Sequence, residues 1–231
     1  MSSCINIIAI DGPAASGKST LGLSLSKALD YLFFDTGVMY RAITWLAIQR
    51  GLDLNDETTI TGLAENVDID IRPASQTDGR TSDILAEDQD LTWKIRRPEV
   101  DANVSLVSAY PGVRNALTRQ QRRIGLRGRV VMVGRDIGTV VLPEAPLKIY
   151  LDASAEERAM RRYLEILRRG ETANYKEILD KIRKRDEFDS TRDVAPLRAA
   201  NDAIIIQSDQ VDAQQVFHQT MQLIENMPTN C

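Results

Sequence analysis

The residues Gly12-Pro-Ala-Ala-Ser-Gly17-Lys18-Ser19-Thr20 follow directly on the apolar run Ile5–Ile10. They fit the spacing G-x-x-x-x-G-K-[ST], a glycine-rich loop that cradles phosphate. A strand that ends in such a turn and opens a helix leaves several backbone N–H groups unpaired and aimed one way. With the positive end of the helix dipole they hold a polyphosphate. Lys18 is placed to reach the β and γ phosphates, and the Ser19 hydroxyl to sit on Mg²⁺. The context agrees. The strand precedes the loop, and Leu21, Leu25 and Leu29 give an apolar stripe of period four after it.

Two arginine-rich clusters could meet that phosphate. Arg158, Arg161 and Arg162 recur at i, i+3 and i+4, and Arg169 continues the row, so one helical face carries all of them. Singly, each reads as part of a solvated face balanced by Glu156, Glu157 and Glu165. As a set beside a phosphate loop they read as a lid that brings cations to a transferring phosphoryl group and excludes water. The second cluster is Arg185, Asp189 and Arg192, whose spacing of i, i+4 and i+7 before Pro196 places them on one helix face. As surface ion pairs these are worth only tenths of a kcal/mol, roughly. Near a helix end, they can face a cleft.

The elements that must position these groups are legible as apolar runs. Ile5–Ile10, Tyr31–Phe34, Val130–Val133, Leu147–Leu151 and Ala203–Gln207 are mostly continuous, as strands buried on both faces of a parallel sheet require. Helical stretches separate them. The expected fold class is α/β: a five-stranded parallel sheet with helices on both sides, and ligands beyond the carboxyl ends of its strands. The phosphate loop, Asp35-Thr-Gly37 and Gly134-Arg-Asp136 all fall there. From Leu54 to about Asn103 no core strand occurs. This stretch reads as a small inserted lobe: Val67–Ile71 alternates like a half-exposed strand, Thr77–Arg80 is a turn, and Ile84-Leu85 is a returning strand. A second interruption runs from Glu156 to about Asn174.

With 231 residues the chain forms one sizeable core with small lobes. A net charge of −4 supplies no basic field for nucleic acid or an anionic membrane. No apolar run approaches the roughly 20 residues that span a bilayer. The first residues lack the pattern of a secretory leader, so a cytoplasmic location is expected. The two cysteines, Cys4 and Cys231, are too few and too far apart in sequence for a zinc site or disulfide framework and are expected as reduced thiols. His218, the single histidine, is expected on a helix surface.

Taken in order, these residues resemble the bacterial cytidylate kinases, of the nucleoside monophosphate kinase group. The resemblance runs over essentially the whole length. It rests on Ile10-Asp-Gly-Pro, the phosphate loop, Asp35-Thr-Gly-Val-Met-Tyr40-Arg41, Gly134-Arg-Asp-Ile-Gly-Thr-Val-Val141 and Lys148-Ile-Tyr-Leu-Asp-Ala153. It also rests on Glu156-Glu-Arg-Ala-x-Arg-Arg162 and Arg185-Asp-x-x-Asp-x-x-Arg192 with Ala195-Pro-Leu197. It implies ATP-dependent phosphorylation of CMP and dCMP to CDP and dCDP, in pyrimidine nucleotide metabolism, by a monomer. The implied organisation is a phosphate-loop core (1–35, 106–155 and 175–231), a monophosphate-binding lobe with its insert (36–105) and a helical lid (156–174).

The resemblance assigns ATP, with Mg²⁺ on Ser19, to Gly12, Pro13, Ala14, Ala15, Ser16, Gly17, Lys18, Ser19 and Thr20. Lys18, Arg161 and Arg162 are the implied catalytic groups. It implies that Arg41, Arg135 and Arg192 take the CMP phosphate and that Arg185 and Asp189 hold the sugar. Ser105, Arg114 and Asp136 read the base, with Thr36 and Tyr40 flanking. This base set also makes sense chemically, because cytosine offers an N4 donor beside N3 and O2 acceptors while uracil reverses the first two. Three positions depart from the family's usual residues: Ala15 for Gly, Val38 for a smaller Ala, and Thr36 for Ser. None removes a charged site residue, so an active enzyme is expected. Two rival classes share the core. A shikimate-type kinase would need neither the base-reading set nor so large a lobe. A non-catalytic nucleotide switch would need segments that order around the γ-phosphate and a partner surface, whereas the arginines converging on the strand ends point to a second anionic ligand.

Overall fold

Residues 5–227 are described by a computed structural model of the chain; Cys4 and Cys231 lie outside them. The first apolar run is β1 (Ile7–Asp11), buried throughout. It passes through the glycine-rich turn into α1 (Lys18–Leu29), which buries Leu21 and Leu25. β2 (Leu32–Asp35) leads into α2 (Gly37–Gln49), most of whose residues are buried. α3 (Glu57–Asn66) starts at Asp56, whose carboxylate accepts the Thr59 amide at 3.1 Å and caps the helix. β3 (Ile69–Pro73), β4 (Ser82–Ala86) and β5 (Gln89–Asp90) form a separate antiparallel sheet. α4 (Pro98–Val107) and α5 (Pro111–Gly125) each begin with proline, where a missing N–H does no harm. Then come β6 (Val130–Gly134), a tight turn at Ile137–Val141, β7 (Leu147–Asp152), α6 (Ala155–Arg168), α7 (Tyr175–Thr191), β8 (Ile204–Gln207) and α8 (Ala213–Asn226).

The main sheet has the order β2-β6-β1-β7-β8, with every pairing parallel. β1 lies at its centre. Ile7 and Ala9 point into one core with residues of α2, α4 and α5, while Ile8 and Ile10 point into a second core with residues of α1 and α8. That alternation is why β1 has no polar residue before Asp11. The chain leaves β1 toward β2 and later returns to β7 on the other side. The reversal opens a crevice at the carboxyl ends of β1 and β6.

The expected lobe strands are present as β3 and β4, with Ile71 opposite Ile84, and the Thr77–Arg80 stretch lies in the connection between them. Arg80, its side chain almost fully enclosed, donates to Asp78, Asp83 and Asp90 and closes that connection onto β5. β5 itself was not anticipated. Its two-residue hairpin turn is Glu87-Asp88, with φ of 50° and 60°. Such a turn favours Asn-Gly or Asp-Gly, so Glu-Asp carries no hairpin signal. His218 is exposed on α8, as expected.

Candidate active site

The phosphate loop is shaped by two glycines. Gly12 has φ +149°, and a Cβ there would lie 2.1 Å from the Leu151 carbonyl oxygen, so no other residue lets the loop pass the end of β7. Gly17, at φ +97°, turns the chain into α1. The first turn of α1 has neither an acidic residue nor a side-chain cap. Its N–H groups are left for an external anion. Ala15 stands at φ 60°, a left-handed conformation that costs a residue with a Cβ about 1 kcal/mol.

Lys18 is buried, with Nζ donating to the Pro13 carbonyl at 2.5 Å and the Ser16 hydroxyl at 3.2 Å. Burial first, and then Arg135, hold its pKa well below the ordinary lysine value. A polyphosphate supplies the counter-charge such an ammonium lacks. The Ser19 hydroxyl donates to Asp35 Oδ2 at 3.2 Å, and Asp35 Oδ1 accepts the Gly37 amide at 3.0 Å. A hydroxyl beside a carboxylate at the mouth of the loop is a hard oxygen donor set of the kind Mg²⁺ takes.

The loop opens into a cleft of about 1190 Å³. Each residue assigned above to the second nucleotide lines it. Thr36, Tyr40 and Arg41 come from the end of β2 and from α2, Ser105 from α4 and Arg114 from α5. Arg135 and Asp136 follow β6, and Arg185, Asp189 and Arg192 come from α7 and just beyond it. Arg114 donates to Asp136 Oδ2 at 2.8 Å, both side chains being buried, and its guanidinium lies 5.5 Å from the centroid of the Tyr40 ring. Arg135 Nε donates to Asp189 Oδ2 at 2.9 Å. Arg192 reaches Asp189 Oδ1 at 3.4 Å and lies 4.0 Å from Asp136 Oδ1. Arg41 holds Asp101 at 2.6 Å on the outer rim. The Thr36 hydroxyl donates to the Val133 carbonyl at 3.1 Å, so it braces the end of β6.

Positive charge exceeds negative in this cleft. Arg192 sits below the ordinary arginine value, first because it is desolvated and then because Arg114 is near. Arg114 Nε and Arg192 Nη2 are buried N–H groups with no hydrogen-bond partner among the described residues. Buried donors without acceptors are costly, and two beside one carboxylate mark where ligand oxygens or ring nitrogens belong.

Two expectations about arginine rows need correction. Arg192 is not on the helix face. α7 ends at Thr191, and Arg192 adopts extended backbone (φ −64°, ψ 142°) that swings it inward. Nor do the α6 arginines share a direction. Arg158 is buried and pairs with Asp186 at 3.0 and 2.6 Å, while also donating to the carbonyls of Ala153 and Ala14. It ties α6 to α7 and to the phosphate loop. Arg161 pairs with Glu157 and bonds the hydroxyl and carbonyl of Ser208. It lines a second cavity of about 230 Å³, on the Gly17 and Thr20 side of the loop, with Val211 and Asp212. Arg162 lines the main cleft and pairs with Glu165, a carboxylate that Arg169 also holds. Helical spacing put these groups on one stripe, but local carboxylates and carbonyls decide where long side chains end.

The sequence model of the cytidylate kinases matches residues 8–226. The chain belongs to the cytidylate kinase family. It is 48% identical over 217 residues to the cytidylate kinase of Herpetosiphon aurantiacus, covering 94% of this chain and 93% of that one. The Roseiflexus castenholzii cytidylate kinase is 49% identical over 212 residues, 91% and 90% of the two chains. Among solved structures, an uncharacterized protein from Eubacterium ventriosum superposes with a TM-score of 0.51 at 12% identity over 96% of this chain and 99% of that one. That likeness concerns the fold alone. Family membership makes the chain a P-loop kinase.

The sequence carries Asp11 and Asp35 only as members of the motifs Ile10-Asp-Gly-Pro and Asp35-Thr-Gly37, with no role of their own, and gives no sign of the second cavity. Asp11 carried a signal: it is the lone ionisable residue at the end of an otherwise apolar central strand.

Proposed function

We propose that this chain transfers the γ-phosphoryl group of ATP to CMP and dCMP, giving ADP with CDP or dCDP. The observation that carries this reading is the single cleft in which the phosphate loop faces a desolvated, arginine-rich second anion site with buried orphan donors. A phosphate oxygen of the acceptor is already anionic and attacks the γ-phosphorus in line. No strong general base is required, so positioning and charge neutralisation carry the catalysis. Lys18 meets the β and γ phosphates, Arg41, Arg135 and Arg192 the acceptor phosphate, and Arg185 and Asp189 the sugar. Ser105, Arg114 and Asp136 read the cytosine edge, with Thr36 and Tyr40 beside it. Ser19, with Asp35 next to it, would hold Mg²⁺, which when bound with ATP neutralises charge on the β and γ phosphates.

The stretch 36–105 acts in this reading as the acceptor lobe and 156–174 as the lid. The second cavity lies where the donor base would extend from the phosphate loop. Arg162 contacts the transferring group on lid closure, and Arg161 joins it after leaving Ser208. Arg162→Ala and Arg161→Ala are each expected to lower kcat by at least about tenfold while changing the KM for CMP less. A variant that raised the KM for CMP with kcat intact would remove that arginine from the transition state. In this reading the chain works as a monomer in the cytoplasm; no helix among the described residues is long and apolar enough to cross a membrane.

The deciding assay mixes ATP and Mg²⁺ with CMP, dCMP, UMP, AMP or shikimate and follows ADP. ADP release with CMP and dCMP, and little with the others, is expected. Release with CMP no faster than ATP hydrolysis without an acceptor would overturn the reading.

A further inference from the structure

We propose that Asp11 is a positioning residue for the acceptor site, acting through the backbone of the turn that carries Arg135 and Asp136. The inference rests on the acceptor reading above and adds a residue that does not itself line the cleft.

Asp11 ends β1 and is buried. Its register partner on the neighbouring strand is Gly134, so its side chain stands beside the point where β6 gives way to Arg135 and Asp136. Oδ1 accepts the Ile137 amide and Oδ2 the Gly138 amide, each at 2.8 Å. The Asp136 carbonyl, in turn, accepts the amides of Val140 and Val141 at 2.9 and 3.1 Å. Asp136 is thereby gripped from both sides: its carbonyl by the turn that follows, the next two amides by Asp11. Its own backbone, at φ −146° and ψ 24°, belongs to neither strand nor helix and needs such a grip. From that fixed position Asp136 meets Arg114, while Arg135 meets Asp189.

Two adjacent amide donors call for two acceptor oxygens on one short side chain, which aspartate has and asparagine does not. Stability alone would not choose a carboxylate here. Burial pushes the Asp11 pKa up to about 6, against the pull of the two amides, with Asp136 adding repulsion and Lys18 a weaker attraction. Gly138 packs close to Asp11 Oδ2 and to the aliphatic part of Lys148, so the turn has little room to find another register. A carboxylate kept in such a place is doing something other than filling the core.

The test compares Asp11→Asn and Asp11→Ala with the wild type by thermal melting, by steady-state kinetics with CMP and UMP, and by calorimetric titration of CMP without ATP. Asparagine keeps one acceptor and turns a donor onto the other amide. It is expected to raise the KM and Kd for CMP about tenfold and to lower the CMP/UMP ratio of kcat/KM about fivefold, with alanine further in the same direction. The KM for ATP should stay within about twofold, because the turn and not the phosphate loop is released, and a cooperative melt should remain. A CMP affinity and a CMP/UMP ratio both unchanged in Asp11→Asn would overturn the proposal. So would an equal rise in the KM for ATP and CMP, or loss of cooperative melting in both variants, since either would make Asp11 a part of the loop or of the core. A wild type that neither binds nor phosphorylates CMP would refute the acceptor reading itself, and this assignment with it.

Discussion

Lys18→Ala is expected to lower turnover at saturating ATP and CMP by at least about 10³-fold, the largest loss from any single substitution in the cleft. Lys18 is the lone lysine of the phosphate loop, and its ammonium is held between the Pro13 carbonyl and the Ser16 hydroxyl. No other side chain of the loop carries positive charge to the β–γ bridge. Electrostatic help of this kind acts in a water-poor site on charge that moves during transfer, which is where one group has the most leverage. A variant keeping more than a tenth of the wild-type turnover would remove Lys18 from that role.

The same substitution should not weaken the ligand-free fold. In the absence of phosphate the ammonium is desolvated and faces Arg135, which is why its pKa falls below 10.5. The folded chain therefore releases this proton at a lower pH than the unfolded chain does. Stability gained from that difference grows as pH rises toward 10.5 and is missing from the alanine variant. Melting curves of both proteins at several pH values should show the wild type gaining on the variant with rising pH. A wild type that instead lost ground would mean the ammonium is stabilised in the fold.

Much of this architecture was legible because its physics is local. A strand buried on both faces has to be apolar at each position, so Ile7–Ile10 and Val130–Val133 stand out without alternation. A phosphate loop needs glycine where a Cβ has no room, and Gly12 is such a place. The residues proposed for the acceptor are legible in another way. Arg41, Ser105, Arg114, Arg135 and Arg192 come from separate elements, and spacing along the chain does not bring them together. They were assigned from the ordered motifs of a family, and the fold gathers them in one cleft. What escaped was tertiary competition for long side chains. Arg158, Arg161 and Arg162 share a helical stripe in sequence, but a half-buried carboxylate, a backbone carbonyl and a surface glutamate draw them apart. The grip of Asp11 on Ile137 and Gly138 joins residues more than a hundred positions apart, so no local pattern contains it.

Asp136→Asn tests what the pocket reads. Asp136 Oδ2 is committed to Arg114 at 2.8 Å, whereas Oδ1 lies 4.0 Å from Arg192 and keeps lone pairs for a ligand. An asparagine retains one oxygen, and the Arg114 guanidinium will claim it, since losing a buried ion-pair partner outright costs about 3–5 kcal/mol. The new amide NH₂ then stands where Oδ1 was. It meets the N4 amino group of cytosine donor to donor, but offers a hydrogen bond to O4 of uracil. The CMP/UMP ratio of kcat/KM is therefore expected to fall by about tenfold or more, with most of the loss on CMP. If Asp136 served only to hold Arg114 over the Tyr40 ring, the looser guanidinium would serve both bases less well, and the two values of kcat/KM would drop together with their ratio unchanged. Kinetics with CMP and UMP on this one variant, normalised to the fraction that binds ATP, separate a carboxylate that reads the base from one that only braces its neighbour.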